Sequence, residues 1–371
     1  MISAAIARVL VYSYDLSYVH GRYVMSGGRE ITTLSSTVVE VETEGGVSGF
    51  GEVCPLGPAY LPGFAEGARA AIVRLAPALV GVDVTNPAAV TMTMERALRG
   101  HGYAKSAVDT ACWDAFGRVV DQPVATLLGG VCQQSFPLYV AIPLGSATDM
   151  SAHVLAARAE GISRFQLKVG GKVSEDLERI RAVLAVTGDD DIVIADANGG
   201  WRQSDALTAA VALDQSPSLM LEQPCPTIEE CVAVRSFARL PMVLDEVITD
   251  LAELLRCHHL NAMDAINLKI SRVGGLGPAR TIRDVAAALG LKITIEDTWG
   301  GDLVSAAVSH LAASTPAENL LNVSFMNDWT AEHVAGYQPR SHDGVGQVPT
   351  GGGLGVTVDR SFLGPPVWQS A

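Results

Sequence analysis

Lysine is scarce in this chain: five of 371 residues, Lys105, Lys168, Lys172, Lys269 and Lys292, within a total of 26 basic side chains. Acidic side chains number 40, giving a net charge of −14 that repels phosphate backbones and anionic lipid surfaces and excludes nucleic acid and membrane as expected partners. No apolar run reaches the roughly 18 residues a membrane span needs. The first residues lack the basic-then-apolar pattern of a secretory leader, so the expected location is the cytoplasm. Six cysteines, Cys54, Cys112, Cys132, Cys225, Cys231 and Cys257, contain no CxxC pair and read as small apolar residues rather than disulfides or zinc ligands. There is no GxxxxGK[ST] and no GxGxxG between a strand and a helix, which excludes a phosphate loop. Gly274-Gly275-Leu276-Gly277 reads as a turn opening a helix, with an anion at that helix start as the one alternative.

What is plentiful is apolar material, 48% of the chain, enough for a large core and too much for a disordered one. Residues 1–125 read as an α+β unit. The stretch 37–43 alternates at period two, Glu44-Gly45-Gly46 turns, and 47–53 returns as the second strand of a hairpin. Three helical patterns follow at 64–79, 88–98 and 104–120, the last with Trp113 and Phe116 on its core side.

From about residue 136 the pattern changes. Short apolar runs recur at 138–142, 164–169, 192–196, 219–222, 242–245, 265–270, 292–296 and 320–323, each followed by a loop and an amphipathic helix. Parallel strands buried on both faces read this way, and eight such units predict a closed barrel over 126–326. Residues 327–371, rich in Gly and Pro, are expected to return to the first unit. His310, inside an apolar helix, reads as a buried, satisfied histidine.

The runs end on polar residues. Asp196, Glu222 and Asp245 close three consecutive strands, and Lys168 and Lys269 close the strands on either side of that trio. In a barrel these ends share one rim, where chemistry is placed. Three carboxylates there repel one another unless a hard divalent cation joins them, and an all-oxygen set favours Mg²⁺ or Mn²⁺. Two amines across that cation suit moving a proton at a carbon between them, with each pKa expected to fall toward roughly 7–8.

These motifs resemble the enolase superfamily and, within it, the muconate-lactonizing-enzyme-like group, over nearly the whole chain. The residues that carry the likeness are Ser106-Ala107-Val108-Asp109-Thr110-Ala111-Cys112-Trp113-Asp114, Leu127-Leu128-Gly129-Gly130, Asp196-Ala197-Asn198, Glu222-Gln223-Pro224, Asp245-Glu246 and Lys269 followed by Val273-Gly274-Gly275-Leu276. The resemblance implies an α/β fold, a (β/α)7β TIM-like barrel with an N-terminal α+β capping domain. It also implies one Mg²⁺ on Asp196, Glu222 and Asp245 with Mn²⁺ as a substitute, a small-molecule carboxylate substrate, and a homo-oligomer, dimer or octamer. A lysine then removes the α-proton of the substrate. Where the group reads Lys-x-Lys on the second strand, this chain reads Gln166-Leu167-Lys168.

Outside that set, the segment 296–302 is similar to that of proline-betaine and hydroxyproline-betaine epimerases, and 54–60 and 100–105 are similar to segments of those epimerases and of cis-3-hydroxyproline dehydratases. The leading expectation is therefore racemisation or epimerisation at the α-carbon of a proline-like amino acid or betaine. The alternative is dehydration of a 3-hydroxyproline, and muconate cycloisomerisation ranks behind both, since Glu296 and Asp297 would repel a dianion. Candidate substrate contacts are Tyr60, Gln166, Asn198, Glu296, Asp297, Trp299 and Phe325: aromatic faces for an ammonium, with Asp297 as its counter-charge. The segment 20–28 is expected to close over the substrate.

Overall fold

The structure, a computed structural model, describes residues 3–216 and 218–370. Eight parallel strands, Val140–Ile142, Arg164–Lys168, Ile192–Asp196, Leu219–Glu222, Met242–Leu244, Ala265–Lys269, Lys292–Glu296 and Leu320–Val323, pair in chain order. Helical connections lie between them, seven among the described residues. The last strand meets the first: the Tyr139 N–H donates to the Val323 carbonyl at 2.9 Å, and Leu138 bridges Val323 in parallel. This is the expected (β/α)7β barrel. The second strand shows how its pattern works, since Phe165 and Leu167 enter the main hydrophobic core while Gln166 and Lys168 line an interior cavity.

The N-terminal unit is a four-stranded antiparallel sheet, ordered Trp368–Gln369, Ile6–Ser17, Thr33–Thr43, Ser48–Val53, covered by the helices Ala65–Leu79, Pro87–Ala97 and Gly102–Val119. Its core is separate, built on Val9, Val39, Ile72, Leu75 and Val108. The long strand Ile6–Ser17 has no counterpart in the sequence reading, because its polar and apolar residues do not alternate cleanly.

Two buried acids bolt this cap to the barrel. Glu52 accepts from the backbone N–H groups of Gly301 (3.0 Å) and Val304 (3.3 Å), at the start of helix Asp302–Ala313. Asp109 accepts from Gly277 N–H (3.0 Å), at the start of helix Leu276–Ala288. Each carboxylate satisfies backbone donors that a helix start leaves open. The alternative of an external anion after Gly275 is thereby corrected: the chain's own Asp109 occupies that place. Gly275 has φ +125°, and a Cβ there would lie 2.6 Å from Asp109 Cγ, so glycine is required.

Residues 20–28 are ordered against the barrel mouth. Tyr23–Met25 pairs with Arg29–Ile31, and Tyr23 and Met25 pack in one cluster with Tyr139, Trp299 and Trp329. All six cysteines are free, and Cys132 alone of them is exposed. Among the described residues no helix is long and apolar enough to cross a membrane.

Candidate active site

Strand register sets the site. Lys168 pairs with Asp196, Asp196 with Glu222, and Lys269 with Glu296, so their side chains emerge at one level of the rim. Asp245 follows directly on the fifth strand. All six of these residues are buried. Strands two and six stand four apart in a ring of eight, which puts the two lysines on opposite walls.

Each charged group has a partner. Lys168 Nζ lies 2.5 Å from Asp196 Oδ2. Lys269 Nζ lies 2.8 Å from Asp245 Oδ2, 3.2 Å from Glu296 Oε1 and 3.3 Å from the Tyr60 hydroxyl. Asp245 also takes the Arg272 guanidinium at 2.7 Å. Glu222 accepts one amide N–H on each oxygen, from Gln166 and from Asn267, both at 2.9 Å. Asn198 donates its amide to Asp196 (2.9 Å) and to Glu246 (3.1 Å), and the Tyr60 hydroxyl donates to Glu246 at 2.8 Å.

The electrostatics follow from burial and like charge. Burial, then Asp196 and Asp245, pushes the Glu222 carboxyl well above its ordinary range. Burial and the same two neighbours push Glu246 up to about 7. Burial works against the Asp245 carboxylate, but Arg272 and Lys269 outweigh it and hold its pKa low. Lys168 differs from expectation. Burial alone would lower its pKa, but Asp196, Tyr23 and Glu222 outweigh burial and raise it, so the carboxylates around it hold the ammonium form.

Among the described residues no three His, Cys, Asp or Glu side chains close on a common point as a metal cage would. Asp196, Glu222 and Asp245 instead each face a nitrogen donor. The set still fits a hard divalent cation: with Glu246 and Glu296 beside them, Asp196, Glu222 and Asp245 make five clustered carboxylates against three cationic side chains, Lys168, Lys269 and Arg272, and the repulsion raises Glu222.

Beside the carboxylates lies a small cavity of about 20 Å³, with Gln166, Lys168, Lys269, Glu296, Asp297 and Thr298 on its polar side. Tyr23, Met25, Leu56, Tyr139, Met326 and Trp329 form the other side together with Tyr60 and Trp299. The structure corrects one expected contact. Phe325 does not reach this cavity; it packs edge-on against Phe136 and lines a different one. The 3-10 turn Met326–Trp329 that follows it delivers Met326 and Trp329 in its place. Asp297 lines the cavity as expected; its Oδ1 accepts from Ser271 N–H, the Ser271 hydroxyl and Thr298 N–H, and Oδ2 from Ser271 N–H at 3.2 Å, so it also braces the loop. Glu296 instead carries a buried oxygen, Oε2, without a protein partner.

Tyr23 comes from the segment 20–28 expected over the substrate, whereas the sequence reading missed Tyr139, Met326, Trp329, Arg272, Glu246 and Asn267. Asn267 had a local signal, two residues before Lys269 on the same strand face. Trp329 had none, because only the turn after the last strand aims it inward.

Comparison with known proteins agrees with this architecture. Residues 149–362 match the enolase C-terminal domain-like family, and residues 23–129 match the N-terminal domain of the mandelate racemase / muconate lactonizing enzyme family. Cis-3-hydroxy-L-proline dehydratase of Roseibium aggregatum is 44% identical over 362 residues, 98% of each chain. N-succinyl-L-Arg/Lys racemase of Bacillus cereus is 29% identical over 297 residues, 79% of this chain and 80% of the racemase. A mandelate racemase/muconate lactonizing enzyme structure from Roseovarius nubinhibens, complexed with magnesium, superposes with a TM-score of 0.95 at 33% identity, covering 99% of this chain and 100% of that one. The chain belongs to the enolase superfamily, with the N- and C-terminal domains of its mandelate racemase/muconate lactonizing enzyme branch.

Proposed function

We propose that this enolase-superfamily enzyme is a hydro-lyase that dehydrates cis-3-hydroxy-L-proline or a close analogue. The observation that carries the reading is the 44% identity to a cis-3-hydroxy-L-proline dehydratase across 98% of both chains. It reverses the order expected from sequence, where epimerisation led. Racemisation at the α-carbon stays as the second reading, because a racemase is also among the relatives and the same two lysines serve it.

The geometry supports elimination in this way. In cis-3-hydroxy-L-proline the α-proton and the hydroxyl lie on opposite faces of the ring. A base on one side and an acid on the other are needed, and Lys168 and Lys269 stand on opposite walls. One lysine, as the neutral amine, takes the α-proton, the Cβ–O bond breaks, and the other lysine, as the ammonium, protonates the departing hydroxyl to release water. The enamine so formed tautomerises to a cyclic imine. Asp196, Glu222 and Asp245 would hold the cation, Mg²⁺ or its substitute Mn²⁺, which when bound supplies positive charge to the substrate carboxylate as negative charge builds there. Glu296 Oε2, which has no protein partner, would take the ring ammonium, and the walls of Tyr23, Trp299 and Trp329 would exclude water. The resemblance further supports a homo-oligomer, dimer or octamer, and the location we propose is the cytoplasm.

The test is to incubate the Mg²⁺-loaded enzyme with cis-3-hydroxy-L-proline and trap the imine, beside proline and its N-methylated forms in D₂O. Imine formation is the expected result. No imine, with deuterium entering proline or a betaine at an inverted α-carbon, would move the assignment to epimerase.

A further inference from the structure

A second cavity, of about 550 Å³, lies outside the barrel where the first strand and helix Ala147–Ala159 face the segment after the last strand. It exists because the barrel has eight strands and, among the described residues, seven helical connections. An eighth helix would cover this place; the irregular chain from Phe325 to Ser341 covers it incompletely. The volume is within the range of small-molecule sites.

Its walls are specific in charge. Glu160 and Asp328 supply two carboxylates, Tyr139 and Trp329 supply aromatic faces, and His20 and His153 stand with ring centroids 5.9 Å apart. No lysine or arginine lines it among the described residues; Arg340 stacks on the Tyr337 ring, 4.5 Å from the centroid, and does not line the cavity. Burial pushes the Asp328 carboxyl up; Ser341, the Tyr337 hydroxyl at 3.1 Å and the Arg340 charge offset this only in part, so an incoming cation would relieve it further.

We propose that this cavity is a second binding site, taking a small organic cation with an apolar body, of the class of a protonated cyclic amine. Carboxylates beside aromatic faces recognise that chemistry. The site communicates with the catalytic cavity, because Tyr139 and Trp329 line both. Trp329 stacks on Tyr23 of the mouth hairpin, 6.5 Å between centroids at 18°, and meets Trp299 edge-on at 5.7 Å. An occupant pressing on Trp329 therefore changes the fit of the wall that closes the catalytic cavity. The proposal does not depend on which reaction the enzyme performs.

Pyrrolidinium chloride is the probe, titrated calorimetrically into full-length Mg²⁺-loaded enzyme. Saturable binding is expected for wild type, and at least tenfold weaker for Glu160→Gln, for Asp328→Asn and for Ala156→Leu, which narrows the cavity. Glu296→Gln, in the catalytic cavity, should bind as wild type does. The probe should shift the substrate KM of wild type but not of Glu160→Gln, whose turnover without probe should be unchanged. Absence of binding, binding untouched by all three outer variants, or binding lost only in Glu296→Gln overturns the proposal. The last result would place the probe in the catalytic cavity.

Discussion

The Glu52 carboxylate, on the cap, accepts the backbone N–H of Gly301, on the barrel, at 3.0 Å. The same carboxylate accepts the Tyr14 hydroxyl (2.5 Å) and the Ser36 hydroxyl (2.7 Å). One buried acid thus ties a cap strand to the loop that runs from Glu296 through Trp299. Glu52→Ala leaves those donors unsatisfied and should cost about 1–3 kcal/mol. The loop also loses its anchor, so the substrate KM should rise more than kcat falls. A thermal melt gives the first quantity and steady-state kinetics the second; equal falls in kcat and kcat/KM would contradict the anchoring role. Gly301→Ala should be at least as harmful, because a Cβ there would sit 3.2 Å from Glu52 Oε1 and still closer to the Tyr14 hydroxyl.

The two lysines predict an asymmetry. For dehydration of one enantiomer, the base variant loses both α-proton exchange and water release. The acid variant keeps exchange and loses water release by roughly 10²–10⁴-fold. Lys168→Ala and Lys269→Ala should therefore behave differently with cis-3-hydroxy-L-proline in D₂O. Two variants each acting on the opposite enantiomer of proline would instead indicate racemisation.

Glu222 predicts opposite effects with and without cation. Its repulsion with Asp196 and Asp245 makes the carboxylate costly when no cation is bound. In excess chelator, Glu222→Gln should melt at or above the wild-type temperature. Added Mg²⁺ should stabilise wild type by about 2.7 kcal/mol at a hundred times its Kd and restore chelator-abolished activity, with neither effect in the variant. A variant less stable than wild type in chelator would show that the three acids do not repel as argued.

His310 predicts a pH dependence of stability. Burial pushes its pKa down to about 4, and its Nδ1 accepts the Ala125 N–H at 3.1 Å, a bond only the neutral ring can make. The unfolded chain binds this proton near the usual ~6.5. Between pH ~6.5 and ~4 the unfolded state therefore holds a proton the native state refuses. Stability is fully present above that window and falls by up to about 3 kcal/mol as pH drops through it. His310→Gln should be less stable than wild type at pH 7.5, with the gap narrowing toward pH 5. Denaturant titrations at both pH values measure it, and a constant gap would count against a neutral buried ring.

The three acids proposed to hold the cation and the two lysines were legible in the sequence because they end consecutive apolar runs. Strand periodicity is local, and a barrel rim gathers every strand's C-terminal end whatever the loops do. Trp299 and Tyr60 were legible as aromatic residues beside that rim, and the structure brings both to the cavity wall. Phe325 was misplaced because a 3-10 turn, a feature of three or four residues, rotates the chain and exchanges it for Met326 and Trp329.

By itself the sequence determined the barrel, the order of its charged strand ends and the chemistry those ends can support, since each depends on residue type and short-range period. Tertiary structure alone decided which oxygen of which acid stays open, as between Glu296 and Asp297, and which aromatics close the cavity. It alone also decided how Glu52 and Asp109 cap helices they do not belong to. Those choices rest on contacts between residues tens to hundreds of positions apart, and no periodicity along the chain encodes them.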